Sequence, residues 1–200
     1  MSKVGDFISG SIQEASEWNS VIAQTEAVVK STGMAAGLTT QQMADMAGSM
    51  SASSGASIFA DDAILGAQNV LATFTQIKGT NFGDATQSIL DISQAMGTDL
   101  QSSALQVGKA LNDPVAGISA LSRVGVSFTD SQKAMIEALV ETGDVAGAQQ
   151  IILAELNKEF GGSAAAAVDT YAGQQAMLAA QFADIQQTLG EALLPVLVRF

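Results

Sequence analysis

Residues 129–160, TDSQKAMIEALVETGDVAGAQQIILAELNKEF, carry the reading that decides the fold. Thr129 followed by Gln132 has the spacing of a capping box, in which a hydroxyl and an amide satisfy the first free backbone N–H groups of a helix. Met135, Ile136, Leu139 and Val140 then supply an apolar stripe at helical spacing. Gly143 suits a helix C-terminus, Asp144 suits the next N-cap, and Val145, Ala148, Ile152, Leu156 and Phe160 repeat the stripe. Two helices joined by a tight turn at Thr142–Asp144 follow from local chemistry alone.

Working toward the N-terminus, Val124 to Phe128 is the one brief β-like stretch, and Gly125 to Phe128 reads as an extended linker. Pro114 suits the first turn of a short helix, where its missing N–H costs nothing, with Asn112 or Asp113 as the cap. Leu100, Ala104, Val107 and Leu111 mark the helix before it. Asp84 to Met96, with Ile89 and Ile92, marks another that Gly97 closes. A further stripe, Ile64, Ala67, Leu71 and Phe74, starts at Asp61 and Asp62 and ends at Gly79. Thr39 with Gln42 is a second capping box, opening a helix to about Met50, and Ser51 to Ser57 reads as a loop. Val4, Ile8, Ala15, Trp18, Ile22 and Val29 alternate by three and four, with Ser11 and Thr25 in the same series, so residues 4–30 form an amphipathic helix stopping near Gly33.

Toward the C-terminus, Gly161 and Gly162 break the chain. Leu178, Phe182, Ile185, Leu189, Leu193 and Val196 then trace one long last helix containing Pro195. The crowded apolar end at Phe200 predicts that the natural polypeptide continues. The expected fold is therefore all-α: an array or bundle of short amphipathic helices with a long C-terminal helix that protrudes. Three segments are expected: an N-terminal helical one over 1–57, a multi-helix domain over 58–162 and the long helix over 163–200.

Composition narrows the chemistry. With 48% hydrophobic but only 5% aromatic residues, the core must be built from Ala, Leu, Ile, Val and Met, as in close-packed helices. The eight methionines read as core filler. There is no cysteine and no histidine, which excludes disulfides, thiolate chemistry and the commonest metal ligand. A net charge of −12, with eight scattered Lys and Arg, argues against gripping nucleic acid. No stretch reaches the ~20 apolar residues that span a bilayer. Asp61 and Asp62 read as helix-start charges, Glu137 and Glu141 with Lys133 as a solvated stripe, and no phosphate-cradling glycine loop occurs. No catalytic, cofactor-binding or metal-binding residue is assigned. The residues singled out are structural turns: Asn112, Asp113, Pro114, Gly125, Phe128, Thr129, Gly143 and Asp144.

Several longer strings go further. Residues 28–33, VVKSTG, with 35–39, AAGLT, and 67–77, AQNVLATFTQI, are one group. Residues 95–100, AMGTDL, 106–115, QVGKALNDPV, and 117–129, GISALSRVGVSFT, are a second. With Gln132-Lys133, Thr142–Asp144, Ala148-Gln149, Ile151–Leu156 and Phe160–Gly162, they span most of residues 20–195. Together they resemble the conserved region of phage and prophage tail length tape measure proteins, with residues 58–162 as the tape-measure-like domain.

That resemblance implies a virion structural protein made in the host cytoplasm. It would occupy the tail tube lumen, scaffold tube polymerisation, and partner the tail tube protein and the tail assembly chaperones, with self-association possible. The chain departs from the family in lacking the extended helical region that sets tail length. Two alternatives remain. One is a helical segment that inserts in the host membrane during DNA ejection, which Asp84, Asp91, Asp169 and Asp184 oppose. The other is a peptidoglycan-cleaving enzyme, for which Glu155 or Glu159 is the least poor acid.

Overall fold

The computed structural model describes residues 3–53, 58–123 and 125–197, and they form ten helices and no strand. In chain order these are α1 Lys3–Ser31, α2 Thr40–Ala52, α3 Asp61–Ala72, α4 Thr80–Met96, α5 Leu100–Asn112, α6 Pro114–Ser122, α7 Asp130–Glu141, α8 Val145–Phe160, α9 Ser163–Val168 and α10 Tyr171–Leu197. The protein is all-α with a long C-terminal helix. The expected loop over Ser51–Ser57 lies partly outside the described residues; α2 itself runs on to Ala52.

Helix starts follow the caps. Thr39 and Thr129 each make a complete capping box with Gln42 and Gln132. Asp113 caps α6, accepting from Ala116 N at 3.2 Å, with Pro114 in the first turn. Asp144 caps α8, accepting from Gly147 N at 2.9 Å. Each cap satisfies a backbone donor that would otherwise lack an intrahelical partner.

One boundary departs from the periodicity. The stripe Ile64, Ala67, Leu71, Phe74 predicts a helix running to Gly79, but α3 ends at Ala72. Phe74 leaves the helical series and lays its ring against the bare backbone of Gly108 on α5, a place with no room for a Cβ. Gly79, at φ +58, then begins α4 rather than ending α3, so α4 starts at Thr80 and not at Asp84.

The core runs through α2 to α9 without interruption. It is built from Met43, Ile64, Leu65, Leu71, Phe82, Ile89, Leu90, Leu111, Leu121, Ile136 and Ile152, all fully enclosed. Helix α4 lies at its centre, packed on α3, α5, α8 and α9. Linker 125–128 alternates as expected of extended chain: Val126 and Phe128 point inward, Ser127 outward, and Ser127 N donates to Glu159 Oε1 at 2.9 Å. Val124 lies outside the described residues.

Two buried polar networks lock the helices in register. Asn81 Nδ2 donates to Gln149 Oε1 at 2.8 Å and to the Ala146 carbonyl, while Gln149 Nε2 donates to the carbonyls of Gln76 and Leu111, each at 3.0 Å. These bonds tie α8 to the start of α4, to the α3–α4 turn and to the end of α5. In the second, Asp91 on α4 accepts from Ala164 N at 3.0 Å, fixing α9 by its backbone.

Residues 163–170 differ from expectation. The long helix begins at Tyr171, not at 163, because α9 docks on α4 and the chain turns at Asp169 and Thr170. The Thr170 hydroxyl donates to the Ala167 carbonyl at 2.7 Å and accepts from Gly173 N at 3.0 Å. Nor does α10 stand clear of the rest. It lies along α1, and the pair is parallel: Phe7 meets Phe182, Gly10 meets Gln186, and Ser11 and Ala15 meet Gly190, both series rising together.

Candidate functional site

The turn residues singled out from sequence occupy three separate corners, α5–α6, α6–α7 and α7–α8, and do not converge. Asn112 Oδ1 accepts from Gln76 N at 3.4 Å; Asp113 and Pro114 start α6. Gly125 and Gly143 sit at φ +105 and +85, the left-handed region that favours glycine. Phe128 is 7% exposed, and Thr129 caps α7. These residues fix helix directions.

The acids considered for wall cleavage are engaged elsewhere. Glu155 Oε2 accepts from Gln132 Nε2 at 2.6 Å and Oε1 from Lys158 Nζ at 2.6 Å. Hydrogen bonds from Lys158 and then Gln132 hold its carboxyl below the usual carboxylate range, the opposite of what a general acid needs. Glu159 accepts from the backbone of Ser127. A polar groove of about 360 Å³ between α4 and α8 is lined by Asp84, Gln87, Ser88, Gln150, Leu153, Ala154 and Asn157, which offer one carboxylate and no paired base.

The feature that stands apart is α10. Its buried positions are Gly173, Ala180 and Gly190, with Ala183 and Gln187 half-buried between them. At about 100° per residue these fall on one side of the helix. Leu178, Phe182, Ile185 and Leu189 fall on the opposite side and are 61, 51, 55 and 43% exposed, with Phe182 at the border, where its ring also meets Phe7 of α1. The large apolar stripe of α10 therefore faces outward, and its small-residue side packs on α1.

Close approach of two backbones explains the inversion. A Cβ at Gly190 would collide with the Ser11 carbonyl, and Gly10 on α1 lies under the Gln186 side chain. Small residues let helix axes come close, whereas a Leu or Phe face cannot fit there.

Between these faces lies a group of carboxylates. Asp61 and Asp62 at the start of α3, Glu14 on α1 and Asp184 on α10 influence one another, and among the described residues no ion pair relieves them. One carboxylate oxygen each of Asp61 and Asp184 is buried without a hydrogen-bond partner. Burial, then the Asp184 charge, pushes Asp61 up to about 6. Burial likewise raises Asp184, with Asp62 adding to it, and raises Glu14, with Glu17, Asp62 and Asp184 adding to it. Asp184 also lines an open groove of about 350 Å³ with Ile185, Thr188 and Leu189, so the acids border the outer stripe.

A carboxyl whose pKa is higher folded than unfolded holds its proton better in the fold, so stability falls as pH rises from about 4 through about 6. Glu155, shifted down, acts oppositely at lower pH. Asp61→Asn is expected to raise stability at pH 7.5 by about 1–2 kcal/mol, a figure reduced for solvent screening, and by much less at pH 4.5. Urea unfolding at the two pH values measures this, and an equal change at both would remove Asp61 from the account.

Comparison with protein-family models, with curated proteins and with solved structures finds no match to this chain.

Proposed function

We propose that the chain is a structural, non-catalytic element of a phage tail, a tape-measure-type module in the tube lumen that acts through helix surfaces. The observation that carries this reading is the outward Leu178–Leu189 stripe on a helix already docked by its small-residue face. Such a helix offers a second contact surface without giving up its first. The ordered strings that resemble tape measure proteins support the tail context, since they coincide with the corners at Asn112–Pro114 and Thr142–Asp144 that set helix directions. The partners proposed are the tail tube protein and its assembly chaperones.

The test is co-assembly of the purified chain with tail tube protein, with and without the chaperones. Binding or altered tube polymerisation is expected, and a chain indifferent to all of them would defeat the reading. The exposed stripe also favours a second reading, contact with a host membrane during ejection. No helix among the described residues is long and apolar enough to cross a bilayer, so that contact would lie in the interface. Leakage from anionic vesicles, absent with tube protein alone, would favour it.

A further inference from the structure

We infer that the outer stripe of α10 is a homotypic docking face, on which a second copy of this chain seats the same stripe. This rests on the geometry of α10 and not on the tail assignment. Leu178, Phe182, Ile185 and Leu189 are spaced four, three and four, the alternation of a two-helix seam whose successive knobs meet a facing helix.

Charge selects the occupant. The chain carries −12 overall, so most of its faces repel a second copy. The positions flanking this seam are Ala179, Gln181, Gln186 and Thr188, none of them charged. The only charged residues from Tyr171 to Leu197 are Asp184, which borders the stripe beside Ile185 and Leu189 without occupying a seam or flanking position, and Glu191. Two stripes can therefore meet with no charge at the seam or at its flanking positions, and the exposed Gln181 and Thr188 can hydrogen-bond across the pair. A basic partner helix would find no acid at the flanking positions that normally choose one.

Area sets the strength. Covering the four exposed side chains removes about 350 Å² per copy, and on the order of 1,000 Å² in total with the flanking residues, near the lower limit of a specific interface. The expected pairing is weak and concentration-dependent.

Sedimentation velocity of the full chain across a wide concentration range tests this directly. A reversible monomer–dimer equilibrium is expected, weakened more than about tenfold by Ile185→Glu with Leu189→Glu while helicity is unchanged. Should that variant misfold, Ile185→Cys serves instead. It introduces the only thiol in the chain, and a short bis-maleimide is expected to trap a dimer through it, whereas a thiol at Ser16 on α1, outside the stripe, is not trapped. A monomer at every concentration, or a dimer indifferent to the charged pair, would overturn the inference. So would a monomer that binds tail tube protein or vesicles through the stripe, which would assign the face to that partner. Because this uses the isolated chain, it can fail while tube binding succeeds, and the converse.

Discussion

Gly190→Val is expected to detach α10 from α1 while leaving the central helices folded. The added side chain has nowhere to go: its Cβ would strike the Ser11 carbonyl, which is backbone, and the Ala15 methyl, which has no torsion by which to move aside. Overpacking a close helix contact costs about 3 kcal/mol or more when backbone must shift. Helix α10 makes its main contacts with α1 and lesser ones with α9, so the local response is release rather than global collapse. Hydrogen exchange should lose its protection over residues 171–197 and keep it over α4 and α8. Unchanged exchange over residues 171–197 would show that the two backbones are not in this contact.

Gln149→Leu is expected to destabilise the whole protein by about 3 kcal/mol, measured from urea unfolding followed by circular dichroism. The volume is nearly conserved, so the loss is polar. The Gln76 and Leu111 carbonyls and one Asn81 donor lose their partner, and each buried group left unpaired costs about 1–3 kcal/mol. Asn81 retains only the Ala146 carbonyl. The double variant with Asn81→Leu should cost less than the sum of the two single changes, because both ends of one bond are then gone. A Gln149→Leu protein within about 0.5 kcal/mol of the parent would remove the network from the account.

What the sequence revealed was what is decided locally. The capping boxes at Thr39 and Thr129, the Asp113-Pro114 start and the Gly143-Asp144 turn are made of neighbours within four residues, and each forms as its spacing predicts. Between Asn112 and Asp113 the choice of cap stayed open, and backbone geometry gives it to Asp113. What stayed hidden depended on distant chain. Phe74 fits the α3 stripe perfectly well, yet Gly108, far along the sequence, offers its ring a better seat. Asn81 and Gln149 look like solvent-face amides until α4 and α8 are brought together.

The inverted α10 is the most instructive case. Periodicity marks the larger apolar stripe but not the side that packs, and here the stripe faces out. The competing signal was present: Gly173, Ala180, Ala183 and Gly190, spaced seven, three and seven, form a small-residue line that suits a close partner. Gly10, Ser11 and Ala15 on α1 supply the matching line. Two mutually small faces outrank one greasy face when backbones can touch. The carboxylates at Asp61 and Asp184 were equally hidden, since Asp61 reads from sequence as an ordinary helix-start charge.

Thiol reactivity measures directly which side of α10 faces out, because the chain has no cysteine of its own. Ile185→Cys and Ala180→Cys would be labelled with maleimide at a dilution where the chain is monomeric. Ile185 is 55% exposed and Ala180 is 8% exposed, so rapid labelling at 185 and strong protection at 180 is the result the structure predicts. Protection at 185 with rapid labelling at 180 would place the apolar stripe inward and contradict the docking face, the homotypic pairing and the proposed role built on them.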